Sequence, residues 1–73
     1  MNKQNEILKK ALKQKVFLEN TFEEIAIKHE PGENEWNARA PGVQEWAVEQ
    51  DSVLVMETIN EAKEISEEQY ENY

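Results

Sequence analysis

The chain has 73 residues and a net charge of −8, from 16 acidic and 8 basic side chains; 38% of its residues are hydrophobic and none is cysteine. That length allows one domain, 1–73, whose core rarely supplies more than roughly 3–5 kcal/mol of net stability, and the lack of cysteine excludes disulfides and thiolate metal sites. No apolar run approaches the roughly 18 residues of a membrane span, and the first residues lack the apolar centre of a signal peptide, so a cytoplasmic protein with no membrane contact is expected.

Residues 2–15 predict a helix. Leu8, Ala11, Leu12 and Lys15 or Val16 follow three-four spacing, Asn2 can cap it, and its lysines suit the negative end of the dipole. Val16-Phe17-Leu18 suits either a continuation or a short extended stretch, and Glu19-Asn20 reads as a break. Thr21 to Glu24 matches a capping box, but Ile25, Ile27 and His29 alternate with Ala26 and Lys28 as in a strand, and the turn cluster at residues 30–34 favours the strand. Trp36, Ala38 and Ala40 then alternate with Asn37 and Arg39. After Pro41-Gly42, Trp46 and Val48 alternate with Glu45, Ala47 and Glu49. Asp51-Ser52 can cap a helix over about 52–69, with Val55, Ile59, Ala62 and Ile65 as its apolar stripe, although Val53 to Met56 could instead extend the sheet. Tyr70 and Tyr73 belong to an acidic tail over 70–73 that is expected to fray.

The expected fold class is therefore α+β: a basic N-terminal helix, a three-stranded antiparallel sheet over about 22–49, and a C-terminal helix packed on one sheet face. Its expected core is Ile25, Ile27, Trp46, Val48, Val55, Ile59, Ala62 and Ile65.

Charge is segregated along the chain. Residues 1–17 hold five lysines against Glu6 alone, a net +4, while residues 18–73 hold three cations against fifteen acids, a net −12. Such asymmetry points to a directed electrostatic interaction. A body this acidic repels nucleic acid and attracts basic protein surfaces. Trp36 and Trp46 are the large apolar residues of the strands, and alternation leaves room for one to face solvent. Trp36, ringed by Glu33, Glu35, Glu45 and Glu49, is the candidate hot spot for a partner. Glu61, Glu64 and Glu68, off the stripe of the last helix, extend the acidic surface. Lys9, Lys10 and Lys13 are candidates for self-association on the acidic body of another copy.

Residues 22–69, read as strand, turn, strand, strand, helix, resemble the HicB-like antitoxin fold. The residues that carry the likeness are Gly32 in the turn, Trp36-Asn-Ala-Arg-Ala-Pro41 and Gly42, Asp51-Ser52 at the cap and Glu61-Ala62 in the helix. The chain departs from that family in having no glycine before Asp51 and in its basic N-terminal helix. The resemblance implies oligomerisation through the sheet and a small basic partner protein. It implies neither catalysis nor promoter binding.

Catalytic chemistry finds little to stand on. His29 is the only histidine, and no serine or cysteine lies near it in sequence to form a nucleophilic pair. The two glycines lie ten residues apart in separate turns, so no phosphate-cradling loop is present. Five lysines without arginine or interleaved aromatics make a poor nucleic-acid surface. No enzyme activity, cofactor or metal is expected. Three functional readings remain open at this stage. One is an acidic inhibitor that binds a basic, nucleic-acid-binding protein by imitating phosphates, as small phage and mobile-element inhibitors do. The others are an antitoxin-like protein and a homo-oligomeric assembly subunit.

Overall fold

A computed structural model describes residues 3–73. Among them the order is α1 (Lys3–Ala11), β1 (Val16–Asn20), β2 (Ile25–His29), β3 (Glu35–Ala40), β4 (Val43–Glu49), α2 (Val53–Glu61) and α3 (Glu67–Glu71). The strands form one antiparallel meander in the order β1-β2-β3-β4. The α+β class and the antiparallel sheet agree with the sequence reading; the strand count is four, not three.

The added strand is β1, so the sheet starts at residue 16 rather than near 22. Three apolar residues in a row fit a strand here because both of its faces are covered. Val16 and Leu18 face α1 and α2, while Phe17 faces Tyr70 of α3. Asn20 ends this strand by building the following turn: its Oδ1 accepts the backbone N–H groups of Phe22 and Glu23 at 3.1 and 3.0 Å. Its Nδ2 donates to Thr58 Oγ1 on α2 at 3.1 Å. Residues 21–24 are therefore turn, and residues 25–29 take the strand alternative.

Strand alternation sorts the core onto two faces. On the near face, Val16, Leu18, Ile25, Ile27, Trp36 and Ala38 pack with Ile7 and Ala11 of α1 and Val55 and Ile59 of α2. On the far face, Phe17 and Ala26 pack with Tyr70, and Ile65 and Tyr73 adjoin them. The turns between β2 and β3 and between β3 and β4 each carry Pro then Gly, and Gly32 and Gly42 have φ of 87° and 73°. This is the pattern of a type II turn, which places its third residue where only glycine is unstrained.

Both predicted helices are shorter than expected. The first was expected over 2–15 but runs from Lys3 to Ala11; Asn2 lies outside the described residues. Its buried face is Ile7 and Ala11, four apart, leaving Leu8 at the margin and Leu12 74% exposed. The predicted helix over 52–69 is two helices. Ser52 caps α2 by accepting the Val55 N–H at 3.2 Å. Ala62, at φ 56° and ψ 36°, ends it in a left-handed turn. Ser66 and Gln69 then open α3 with a reciprocal capping box. The segment between them runs along the outer side of β1. Glu19 N–H donates to the Lys63 carbonyl, and Ile65 N–H donates to the Phe17 carbonyl, both at 2.9 Å.

Several core expectations need correction. Ile25, Ile27, Val55 and Ile59 are buried as expected, whereas Val48, Ala62 and Ile65 are only half-buried. Trp46 is 37% exposed because its strand lies at the margin of the sheet, away from the helices that pack over β1. The tail does not fray: Tyr70 is fully buried against the far face. Its hydroxyl donates to Glu45 Oε2 at 2.5 Å, and its ring lies tilted against Phe17 at 5.6 Å between centroids.

Candidate protein-interaction surface

Trp36, the expected hot spot, has no exposed surface at all. Its register partner Val48 and its neighbour Ala38 share the near face, so the ring lies beneath the helices and against His29, with centroids 5.0 Å apart. The exposed tryptophan is Trp46, paired with Ala38 across the hairpin. The two exchange roles because alternation puts both on one face, and only depth under the helices separates them. Nothing in the local sequence reports that depth.

The acidic residues expected around Trp36 fall into two groups. Glu35 and Glu49 are direct cross-strand partners on the far face, and both are exposed. No cation pairs with either of them, nor with Glu33 or Asp51, among the described residues. Glu33 precedes β3 by two residues and Asp51 follows β4 by two, so the antiparallel pairing gathers all four at one end of the hairpin. Glu45 belongs to a different environment. It accepts from Tyr70 and lies 3.7 Å from Lys28, which also lies 3.6 Å from Glu30. Lys28 and Arg39 sit over the Tyr70 ring at 5.5 and 5.7 Å, and Arg39 lies 3.8 Å from Glu71.

Two of the three acids singled out in the last predicted helix are likewise engaged within the fold. Glu61 accepts from the Thr21 hydroxyl and backbone N–H, and Glu64 is 2.6 Å from Lys10 Nζ. Glu68 lies exposed on α3. Lys10 thus meets the acidic body of its own chain, and Lys15 comes within 3.9 Å of Glu67. Lys9 and Lys13 remain exposed on and just after α1. Leu8, Leu12, Val53 and Met56 are exposed apolar residues on or beside α1 and α2; periodicity picks out Leu8 and Leu12 but does not show that they face solvent.

At Glu19, two groups tie the C-terminal segment to β1. Lys63 Nζ lies 2.8 Å from its Oε1, and the Tyr73 hydroxyl donates to its Oε2 at 2.8 Å. The hydrogen bond from Lys63, followed by that from Tyr73, holds the carboxyl below its ordinary value. Lys63 is raised in return by the same bond. Partial burial, with Glu19 beside it, pushes the Tyr73 phenol up to about 12. Burial first and the Glu45 carboxylate second push the Tyr70 phenol well above its ordinary range.

His29 is the last residue of β2 and is buried. Its Nδ1 lies 3.2 Å from the Ala11 carbonyl and its Nε2 lies 2.9 Å from the Glu33 carbonyl. A ring N–H therefore has an acceptor at either nitrogen, and the side chain staples the end of α1 to the turn before β3. Among the described residues, no group of three or more His, Cys, Asp or Glu side chains is arranged to hold a metal ion. No helix among them is long and apolar enough to cross a membrane.

Comparison with family models, with curated proteins and with solved structures finds no match. The functional reading therefore rests on the surface itself.

Proposed function

We propose that this chain is a non-enzymatic interaction module that captures a basic protein, such as a nucleic-acid-binding one, and inhibits or sequesters it. The observation that carries the reading is the Glu35–Glu49 pair. Like charges directly opposite on neighbouring strands destabilise a sheet, yet both carboxylates are exposed and without a cation. Lysine at either position would have relieved the repulsion. Glu33 and Asp51 add to the same end of a hairpin whose backbone is held rigidly in register. Fixed carboxylates of this kind present a basic groove with negative charge at low entropic cost.

Affinity capture from cells identifies the partner, and its association rate against salt tests the reading. The rate should fall steeply with ionic strength, since exposed charges are screened over about 8 Å at physiological salt. Replacing both residues together, Glu35→Lys with Glu49→Lys, should slow association by about tenfold or more. That pair of changes exchanges one like-charge pair for another, so the fold keeps its stability. Reversing Glu61, Glu64 and Glu68 should slow it less, because two of the three already have partners within the chain. A flat salt response would overturn the reading.

A further inference from the structure

The geometry points to the free edge of β4 as the docking line, where the partner adds an extended segment of alternating basic and apolar residues as a fifth strand. This inference rests on the acidic reading above and adds a backbone mechanism to it.

The first support is the hydrogen-bonding inventory. β4 lies at one end of the strand order and pairs only with β3. Every second residue of such an edge points its N–H and C=O outward. Among the described residues, the one backbone group of residues 43–49 that bonds outside the β3–β4 ladder is the Glu49 carbonyl at the strand's end, which accepts the Ser52 N–H at 3.0 Å, whereas the opposite edge of the sheet is paired with residues 63–65. Extended peptides add to edges of this kind. Their backbone supplies the affinity and their alternate side chains supply the specificity.

The second support is the division of side chains along the edge. Val43, Trp46 and Val48 share the near face, with Val43 53% exposed and Trp46 exposed by a third. The far face carries Glu45, Ala47 and Glu49, with Glu35 immediately behind Glu49. A strand laid alongside residues 46–49 therefore sees Trp46 and Val48 on one side and Ala47 and Glu49, with Glu35 behind it, on the other. Charge complementarity selects the occupant. Another copy would bring two more glutamates and a net charge of −8 to the same line, while an alternating basic strand neutralises the exposed carboxylates. One irregularity limits the useful length. A register shift places two residues, Gln44 and Glu45, opposite Arg39 alone, which leaves residues 46–49 as the regular stretch.

The test uses the whole chain and three synthetic peptides. The first alternates lysine and valine. The second has the same composition with its lysines in one block, and the third is the first with alternate backbone nitrogens methylated. Binding is read by calorimetry and by exchange of the outward-facing amides among residues 46–49, those not already bonded to β3. The alternating peptide should bind and protect those amides. The block isomer should bind roughly tenfold more weakly, and methylation on the edge-facing side should abolish binding. Trp46→Ala should weaken the alternating peptide by about 30-fold, the loss typical of an interface aromatic. Equal binding of the alternating and block peptides, with freely exchanging β4 amides, would overturn strand addition and leave the acidic reading standing. Protection that rises with protein concentration in the absence of peptide would overturn it in favour of a second copy. If neither peptide binds, strand addition fails, and salt-dependent capture of the cellular partner alone then decides the acidic reading.

Discussion

At the β1 edge, Phe17 and Glu19 give their outward backbone groups to Ile65 and Lys63, and two tyrosines and a lysine fasten that strap down. At the β4 edge no other segment covers the strand, which is guarded by glutamates and a bulge, and only the Glu49 carbonyl at its end is taken, by the Ser52 N–H. Both edges are potential templates for another chain. The covered edge is closed to every comer, at the cost of ordering the last residues of the chain. The guarded edge is closed selectively, because a charge that repels one strand attracts another. The β1 side therefore serves stability, and the β4 side is the one on which the proposed docking rests.

The contrast is broken most severely at Tyr70. Tyr70→Ala should cost about 3–5 kcal/mol, comparable to the whole stability of so small a domain, and the cooperative transition in urea should be lost. Trp46→Ala should cost much less, about 1–2 kcal/mol, because the ring is partly in water already. Equal losses from the two substitutions would show that the edges do not differ in this way.

Acidity and alkalinity sharpen the comparison, because the resolved shifts all lie in the strap or its anchor. Both phenols are raised in the folded protein, so the stability they contribute is fully present below the ordinary tyrosine value near 10. It should be lost as pH climbs from there through the folded values, about 12 for Tyr73. Glu19 is shifted the other way. Its contribution is present above the ordinary carboxylate range and should fade as pH falls through its lowered value. Amide exchange at Glu19 and Ile65, whose N–H groups make the strap's hydrogen bonds, should rise at both extremes before exchange in β2 and β3 does. Glu19→Gln should remove most of the acid dependence, and Tyr73→Phe should remove only the Tyr73 share of the alkaline one, leaving that of Tyr70.

The smallest effect is expected at Ala62. A left-handed conformation costs a non-glycine residue roughly 1 kcal/mol, so Ala62→Gly should raise the melting temperature by about 4–8 °C. An unchanged or lower melting temperature would mean that the turn is not strained in solution.

Legibility in the sequence follows the same division. Elements in which large apolar residues keep to one face could be read directly. β2 alternates large apolar residues with small or polar ones although it is buried on both faces, β3 alternates apolar residues with polar ones, and Val55 and Ile59 mark α2 at four-residue spacing. β1 was obscured because Val16-Phe17-Leu18 places large apolar residues on both of its faces, leaving no alternation to detect. The break at Ala62 was obscured for a different reason. Alanine is the best helix former, and no glycine or proline marks the stop; the pairing of residues 63–65 with β1 overrides local preference. The acidic set was legible as a composition, but only cross-strand register separates Glu35 and Glu49 from Glu45, Glu61 and Glu64, which the fold itself employs. Trp36 and Trp46 could not be told apart by alternation, since they share a face.

The strap also has a consequence for refolding. The strands of the meander are joined by short turns, and hairpins close in roughly 1–10 μs. Pairing Leu18 with Glu64 instead closes a loop that contains the three other strands and α2, and such non-local contacts form later. Until they do, the edge formed by Val16, Phe17 and Leu18 is uncharged except for Glu19 and has no cover. Refolding at high protein concentration should therefore trap chains paired through this edge, and dilution should restore the yield.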